Sequence, residues 1–256
     1  MPIQYLRSLT GTERSQRANR DLALVLAFVA GNTDAGGYLA VRQYTSHMSG
    51  IVSAMADNLA LGDVSLWLSG FSALLAFLIG AACTAILVNW GRRRSLRSEY
   101  AFPLLLEAML LVSFCLLGRF LEHPKWLFAS IMTLLLCFTM GLQNAIITKI
   151  SRAEIRTTHV TGIVTDIGIE LGKLFYWNRP QSSPDTPMVM ADRQKLRLLS
   201  LLIGLFFFGG LLGALSFRLL GFLFFLPLAA LLLVLACVPT IDDLRGITHQ
   251  FAIKHD

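Results

Sequence analysis

The sequence predicts an all-α protein that crosses a membrane several times. Three observations lead to this prediction: long apolar segments, a motif that occurs twice, and basic residues concentrated between the apolar segments. Hydrophobic residues make up 55% of the 256-residue chain and charged residues only 15%, whereas a soluble domain carries about 25% charged residues. The mean hydropathy is +0.62. We therefore expect the lipid bilayer to be the main partner of this chain.

The apolar segments are close to the length that a membrane-spanning helix needs, which is about 20 residues. Six of them are predicted to span, at 22–41, 65–90, 103–118, 126–148, 196–217 and 219–238. Asp21 is the predicted N-cap of the first helix. The predicted organisation is a cytoplasmic tail at 1–20, a first membrane repeat at 21–121, a second repeat at 122–240, and a cytoplasmic tail at 241–256.

The duplicated motif divides the chain into two related halves. TSHMSGIV begins at Thr45, and TTHVTGIV begins at Thr157, with the Thr, His, Gly, Ile and Val residues in register. Upstream, GNTDA from Gly31 aligns with GLQNA from Gly141 at nearly the same separation. A spacing shared over about 30 residues indicates internal duplication. Two copies are too few for a solenoid, so the pattern predicts two halves of one molecule.

Two topologies accommodate this duplication. If the motif segments at 45–61 and 157–174 also span, the chain has eight spans in parallel repeats. The basic segments 92–97 and 149–156 then lie outside the cell, against the positive-inside rule. If neither motif segment crosses fully, six spans remain, and the rule is satisfied with both termini in the cytoplasm. The halves are then inverted repeats of three spans, each with a re-entrant or broken motif segment, and this topology is the favoured prediction.

Inverted repeats with broken helices are typical of transporters, which bind substrate near the membrane midplane. Thr45 or Ser46, and Thr157 or Thr158, are predicted N-caps of the motif helices, with the histidines in the first turn. Free N–H groups at such a helix start favour an anion or a polar solute. The predicted substrate-binding residues are Asn32, Asp34, Thr45, His47, Ser49, Gly50, Gln143, Asn144, Thr158, His159, Thr161 and Gly162. Alternatively, the motif is a helix-packing device that satisfies freed backbone groups.

Carboxylates within apolar segments are candidates for proton coupling, because an ionisable group is costly in lipid. The candidates are Asp34, Asp166, Glu170 and Glu107. The halves do not share these charges, since Asp34 aligns with Asn144. We therefore expect a proton or cation site in one half only.

The sequence favours a secondary transporter of a small polar or anionic solute. The alternatives are a passive channel of the same architecture, a non-transporting scaffold or sensor, and an intramembrane enzyme that uses His47 or His159 as a base. No nucleotide fingerprint, nucleophile motif or metal-ligand spacing is present, so we expect no enzyme activity, cofactor or metal. The basic residues flank apolar segments, which argues against nucleic acid. Gly209 and Gly213 form a GxxxG pattern that suggests a homodimer.

Two stretches resemble the YoaK-like family of bacterial membrane proteins, a family of unknown function. They are GNTDAGGYLAV with TSHMSGIVSAMADNLALGD, and GLQNAIITKI with IRTTHVTGIVTDIGIELGK. The second matches more closely, while the first has Ser49-Gly50-Ile51 where the family has Thr-Gly-Asn. The resemblance covers nearly the whole chain. It implies a six-helix protein of the bacterial inner membrane and supplies no substrate.

Overall fold

The computed structural model describes residues 16–94, 96, 98–120, 125–150, 158–176 and 188–253, and within them all regular structure is helical. The all-α prediction is confirmed for this part of the chain. The helices are α1 (Gln16–Val41), α2 (Met48–Ala60), α3 (Val64–Arg93), α4 (Ala101–Phe120), α5 (Lys125–Ile150), α6 (Val160–Phe175), α7 (Arg193–Leu220) and α8 (Phe225–Ile253). A 3₁₀ turn, Gly221–Phe224, joins α7 to α8.

Five stretches of the described chain are long and apolar enough to cross a membrane. Four belong to α1, α3, α4 and α5, and the fifth, Arg193–Cys237, comprises 45 residues and takes in both α7 and part of α8. These helices indicate a multi-pass membrane protein. The motif helices α2 and α6 have 13 and 16 residues. At 1.5 Å per residue they are about 20 and 24 Å long, shorter than the about 30 Å of bilayer hydrocarbon.

Helices α1 and α7 form a pair in which the two backbones touch. A Cβ atom on Gly31 would overlap the carbonyl group of Phe206, and a Cβ on Gly209 would overlap the carbonyl of Phe28. The contact therefore joins two reciprocal Phe-x-x-Gly sequences, one on each helix. Gly213, one turn further along, lies against the carbonyl of Asn32.

The α3–α5 pair repeats this arrangement. A Cβ on Gly141 would overlap the carbonyl of Phe77, and a Cβ on Gly80 would overlap that of Phe138. Again each helix carries one Phe-x-x-Gly sequence. The contact positions of α5 correspond to those of α1 in the duplication, and the positions of α7 correspond to those of α3. The duplication predicted from the motifs therefore extends to the helix contacts.

The first helices of the two halves run antiparallel. Asn19 donates through Nδ2 to the carbonyl of Ile150 at 3.5 Å, and Gln143 donates through Nε2 to the carbonyl of Leu26 at 3.3 Å. The contact further along α1 is therefore with an earlier residue of α5, so the two helices run in opposite directions. This crossing brings the carboxyl-terminal parts of α1 and α5 to opposite ends of the pair.

Helices α4 and α8 pack together beside these central pairs. The ring of Phe114 in α4 meets that of Phe225 edge-on with centroids 4.7 Å apart, and it lies 5.7 Å from that of Phe222 in the connecting turn. Both Phe114 and Phe225 are fully buried. This aromatic cluster holds the α7–α8 connection against the first half of the chain.

Several sequence-based predictions about the fold need correction or fall outside the described residues. Asp21 is not an N-cap, because α1 already includes residues 16–20. Helix α8 continues through residues 241–253, and residues 254–256 of the predicted tail lie outside the described residues. The GxxxG face of Gly209 and Gly213 is buried against α1 of the same chain, so it is not available for the predicted dimer contact. The predicted boundary between the halves, at 121, lies outside the described residues, as do residues 1–15.

Candidate functional site

A cavity of about 820 Å³ lies where the two motifs meet. The first half contributes Asp34, Tyr44, Ser46, His47, Met48, Ser49 and Phe77. The second half contributes Asn144, Thr148, Thr158, His159, Val160, Thr161 and Phe206. Most of these residues occupy equivalent positions of the duplication, so the cavity lies between the halves and is built in the same way from each.

Histidine occupies the N-cap position of both motif helices. The backbone angles of His47 are φ −91° and ψ 66°, and those of His159 are φ −82° and ψ 57°. In each case the carbonyl of the histidine accepts the first helical hydrogen bond at 3.1 Å, and its side chain makes no capping bond. The prediction that the preceding Thr or Ser residues are the N-caps is therefore wrong. The two motifs nevertheless share one backbone geometry.

The motif glycines make room for the imidazole rings. A Cβ on Gly50 would overlap the ring of His47, and a Cβ on Gly162 would overlap the ring of His159. Each ring therefore folds over the first turn of its own helix, and both histidines remain exposed to solvent or cavity. The predicted close approach at these glycines exists, but the partner is the motif's own histidine.

One hydrogen bond in each half ties a long helix to the segment that precedes the motif helix. In the first half, the Ser46 backbone N–H donates to Oδ1 of Asp34 at 3.3 Å. In the second, the Thr158 hydroxyl donates to Oδ1 of Asn144 at 2.6 Å. We call these the Asp34 tether and the Asn144 tether. They join equivalent positions, yet only the first contains a carboxylate.

The lining of the cavity is polar at the tethers and aromatic beside them. Among the described residues, the lining contains one carboxylate, that of Asp34, and no Lys or Arg. Phe77 and Phe206 line it from equivalent positions of α3 and α7. Tyr44, also in the lining, stacks on Tyr38 with ring centroids 4.5 Å apart. In the described part of the chain, no group of three His, Cys, Asp or Glu side chains is placed to hold a metal ion.

Several predicted binding residues lie outside the cavity. Asn32 is buried and donates through Nδ2 to the carbonyl of Phe28 at 2.9 Å, and Gln143 is buried where α5 crosses α1. Thr45 is fully buried, with a hydroxyl that has no hydrogen-bond partner. Gly50 and Gly162 lie beneath the histidine rings. These residues shape the helices that carry the lining side chains.

Two of the predicted proton-coupling carboxylates fasten α6 to the start of α7. Oδ2 of Asp166 lies 3.2 Å from Nζ of Lys195. Glu170 is buried, and it accepts from Nζ of Lys173 at 2.8 Å and from the backbone N–H of Asp192 at 2.8 Å. The Lys173 ammonium and the Asp192 N–H hold the pKa of Glu170 below its ordinary value. Neither carboxylate lines the cavity.

Glu107 is likewise away from the cavity. It is buried within α4, and its Oε2 has no hydrogen-bond partner. Of the four carboxylates that the sequence singled out, Asp34 alone lines the cavity.

Sequence reasoning missed the three aromatic residues of the lining, Tyr44, Phe77 and Phe206. Phe77 and Phe206 each begin a Phe-x-x-Gly sequence, and the same sequence starts at Phe28 and Phe138. Its presence on all four central helices is a signal that a search for short repeats would have found.

Comparison with known proteins gives a family and no function. A family model described as protein of unknown function (DUF1275) matches residues 22–238. No curated protein and no solved structure matches the chain. The match takes in both motifs and the cavity between them, and it agrees with the resemblance to YoaK-like proteins. The chain therefore belongs to the DUF1275 family of membrane proteins.

Proposed function

We propose that this protein is a secondary transporter of a small polar solute in the bacterial inner membrane. The observation that carries the proposal is the cavity lined by equivalent residues of both halves. In transporters built from repeats, the substrate site lies at the repeat interface. Irregular backbone at membrane depth is tolerated where it lines such a cavity. Ser46 and Thr158, which precede α2 and α6, are non-helical and line the cavity.

The proposed topology has six spans, with both termini in the cytoplasm. The antiparallel crossing of α1 and α5 supports inverted halves, because eight spans would make these two helices parallel. The apolar stretch Arg193–Cys237 supplies the fifth and sixth spans. The short helices α2 and α6 then enter the membrane from opposite sides without crossing it.

The helix contacts suggest two bodies that move against each other. The Phe-x-x-Gly contacts lock α1 to α7 and α3 to α5. Helix α6 packs on α7, and α2 packs on α3. One body then contains α1, α6 and α7, and the other contains α2, α3 and α5, with the cavity between them. Rocking of one body against the other would open the cavity to each side in turn.

The tethers connect these two bodies, so opening on either side breaks one of them. In the proposed topology, the Asp34 tether lies toward the outside and the Asn144 tether toward the cytoplasm. A proton on Asp34 removes the negative charge that attracts the Ser46 N–H, and hydrogen bonds to charged groups are stronger than neutral ones. Protonation of Asp34 from the outside therefore favours outward opening, which couples proton entry to solute movement.

Sidedness tests this proposal directly. The four native cysteines are removed, and single cysteines are placed at the exposed positions Arg42, Arg94 and Leu219. With a membrane-impermeant thiol reagent on intact cells, Arg42→Cys and Leu219→Cys should label. Arg94→Cys should label only after permeabilisation. Labelling of Arg94→Cys in intact cells would place the basic end of α3 outside, and the inverted topology would have to be abandoned.

A further inference from the structure

We infer that the cavity binds a small organic cation, with its charged group beside Asp34 and its apolar part between Phe77 and Phe206. The inference deepens the proposed function, because it takes this cavity as the solute site. It departs from the anionic solute that the motif helices suggested.

Among the described residues, the charge of Asp34 has no Lys or Arg partner. Its carboxylate accepts from Ser46, whose N–H donates at 3.3 Å, and only 8% of the residue is exposed. The carboxylates of Glu99, Asp166 and Glu170, in contrast, each lie in an ion pair with Arg or Lys. A buried charge without an opposite charge is costly. A cation in the cavity would supply that opposite charge.

Among the described residues, the other titratable groups that line the cavity or interact with Asp34 are His47, His159, Tyr44 and the thiol of Cys137. His47 and Cys137 lie close enough to interact with it electrostatically, and His159 lines the same cavity. Both imidazole rings are turned onto their motif glycines. With Asp34 ionised, its carboxylate is the one negative charge in the described lining, and it attracts cations and repels anions.

The aromatic residues of the lining suit the same ligand. Phe77 and Phe206 approach the cavity from the two bodies, and Tyr44 lines it as well. The faces of aromatic rings attract cations, more strongly where water is excluded. The cavity volume of about 820 Å³ is within the usual range of small-molecule sites, about 300–1,000 Å³. A monocation with an aromatic or bulky apolar group would fill it.

The carboxylate of Asp34 lies beside the start of α2, where it accepts from the Ser46 N–H. Its negative charge disfavours an anion there. In the second half, Asn144 replaces the carboxylate and accepts from Thr158 at 2.6 Å. That half offers amide and hydroxyl groups for the polar end of a solute without adding a second charge. The cavity is therefore suited to one positive charge.

Binding is tested on the full chain in lipid nanodiscs at neutral pH, where the ammonium and the carboxylate of the probes are both ionised. The method is calorimetric titration with three probes that share a phenyl ring. They are 2-phenylethylammonium, 2-phenylethanol and phenylacetate. The ammonium ion should bind at least about tenfold more tightly than either of the others. Asp34→Asn should weaken ammonium binding at least about tenfold. Asp166→Asn, the same change outside the cavity, is the matched control and should leave binding unaltered.

If Asp34→Asn does not fold, the affinities of the unmodified protein for the three probes test the inference without any variant. Phenylacetate binding as tight as that of the ammonium ion would overturn the inference. So would the absence of ammonium binding up to about 10 mM.

Flux separates this inference from the proposed function. Uptake of radiolabelled benzyltrimethylammonium, which cannot lose its charge, is measured in proteoliposomes, with radiolabelled phenylacetate as the comparison. Radiolabel uptake also detects an exchange of one cation for one proton, which moves no net charge. Ammonium binding without uptake supports the cation site and refutes transport of this cation class. Phenylacetate uptake without ammonium binding supports transport and refutes the cation site.

Discussion

Gly209→Ala tests the backbone contact between α1 and α7. The substitution places a methyl group where the carbonyl of Phe28 now lies, and 3.0 Å from Nδ2 of Asn32. A backbone carbonyl within a helix cannot rotate away, so the two helices must separate. We expect the variant to be less stable than the unmodified protein.

The magnitude follows from two opposing terms. Forcing an extra methyl group into a packed interface costs about 1–3 kcal/mol. Alanine recovers about 0.8–1.0 kcal/mol over glycine within a helix. The expected net destabilisation is about 0–2 kcal/mol, and it is larger relative to a glycine-to-alanine change that meets no neighbour. For a chain of this size, each kcal/mol lowers the unfolding midpoint by about 2–4 °C.

Gly204 provides the matched control on the same helix. Nothing lies within 4 Å of a Cβ at this position. Gly204→Ala should therefore leave the midpoint unchanged or raise it. The midpoints are measured by intrinsic fluorescence during heating, in one detergent and at one scan rate. Gly80→Ala, the equivalent of Gly209→Ala in the other pair, should show a loss of similar size. Equal midpoints for the two α7 variants would refute the backbone contact.

Three further predictions concern the central pairs, the α6–α7 junction and the motif. The buried Thr84 hydroxyl donates to a carbonyl of α5 at 2.8 Å. Thr84→Val removes this hydrogen bond and should lower the unfolding midpoint by the equivalent of about 1 kcal/mol. Thr84→Ser keeps the hydroxyl and should lower the midpoint less. The pKa of Glu170 is lowered in the folded protein, so the ionised side chain stabilises the fold fully above its ordinary pKa of 4.5. This contribution to the free energy of unfolding is lost as the pH falls through the lowered pKa. The difference in unfolding midpoint between the unmodified protein and Glu170→Gln should thus shrink on acidification below about pH 5, and a constant difference would count against this junction. Gly50→Ala should displace the ring of His47 and weaken ligand binding to the cavity, which calorimetry measures. Gly168→Ala is the control: nothing lies within 4 Å of a Cβ at this position, so ligand binding should be unchanged.

The duplication and the cavity between its copies were predictable from the sequence. The motifs beginning at Thr45 and Thr157 share five identities at one spacing, and composition alone places them among membrane helices. Asp34 and Asn144 could be aligned from the sequence alone. The structure adds that each of them accepts a hydrogen bond from the residue that precedes the histidine of its own motif.

The N-caps could not be predicted from residue preference. Thr and Ser are favoured N-caps, but the caps are the next residues along the chain, His47 and His159. The reason lies in tertiary contacts: Ser46 and Thr158 are engaged by the tethers, and the imidazole rings pack on the motif glycines. A preference of about 1 kcal/mol does not outweigh such contacts.

The partners of the α6 carboxylates differ in how readily the sequence indicates them. Lys173 follows Glu170 at the i, i+3 spacing, which puts both side chains on one helical face. Lys195 belongs to the next helix, and the sequence does not specify the path of the chain between it and Asp166. Asp166 was a candidate for proton coupling because the sequence places it within an apolar segment. Its ion pair with Lys195 became visible only in the fold.

The two halves keep the same backbone contacts, while the side chains at equivalent positions differ. Thr84 donates to the carbonyl of Leu142, whereas Gly213, its counterpart in the second half, lies directly against the carbonyl of Asn32. Asp34 and Asn144 differ in charge but hold equivalent tethers. Of the two tethers, only that of Asp34 can change its charge by taking up a proton, because the amide of Asn144 does not titrate. Under the proposed function, the response to protons therefore belongs to the first half of the molecule.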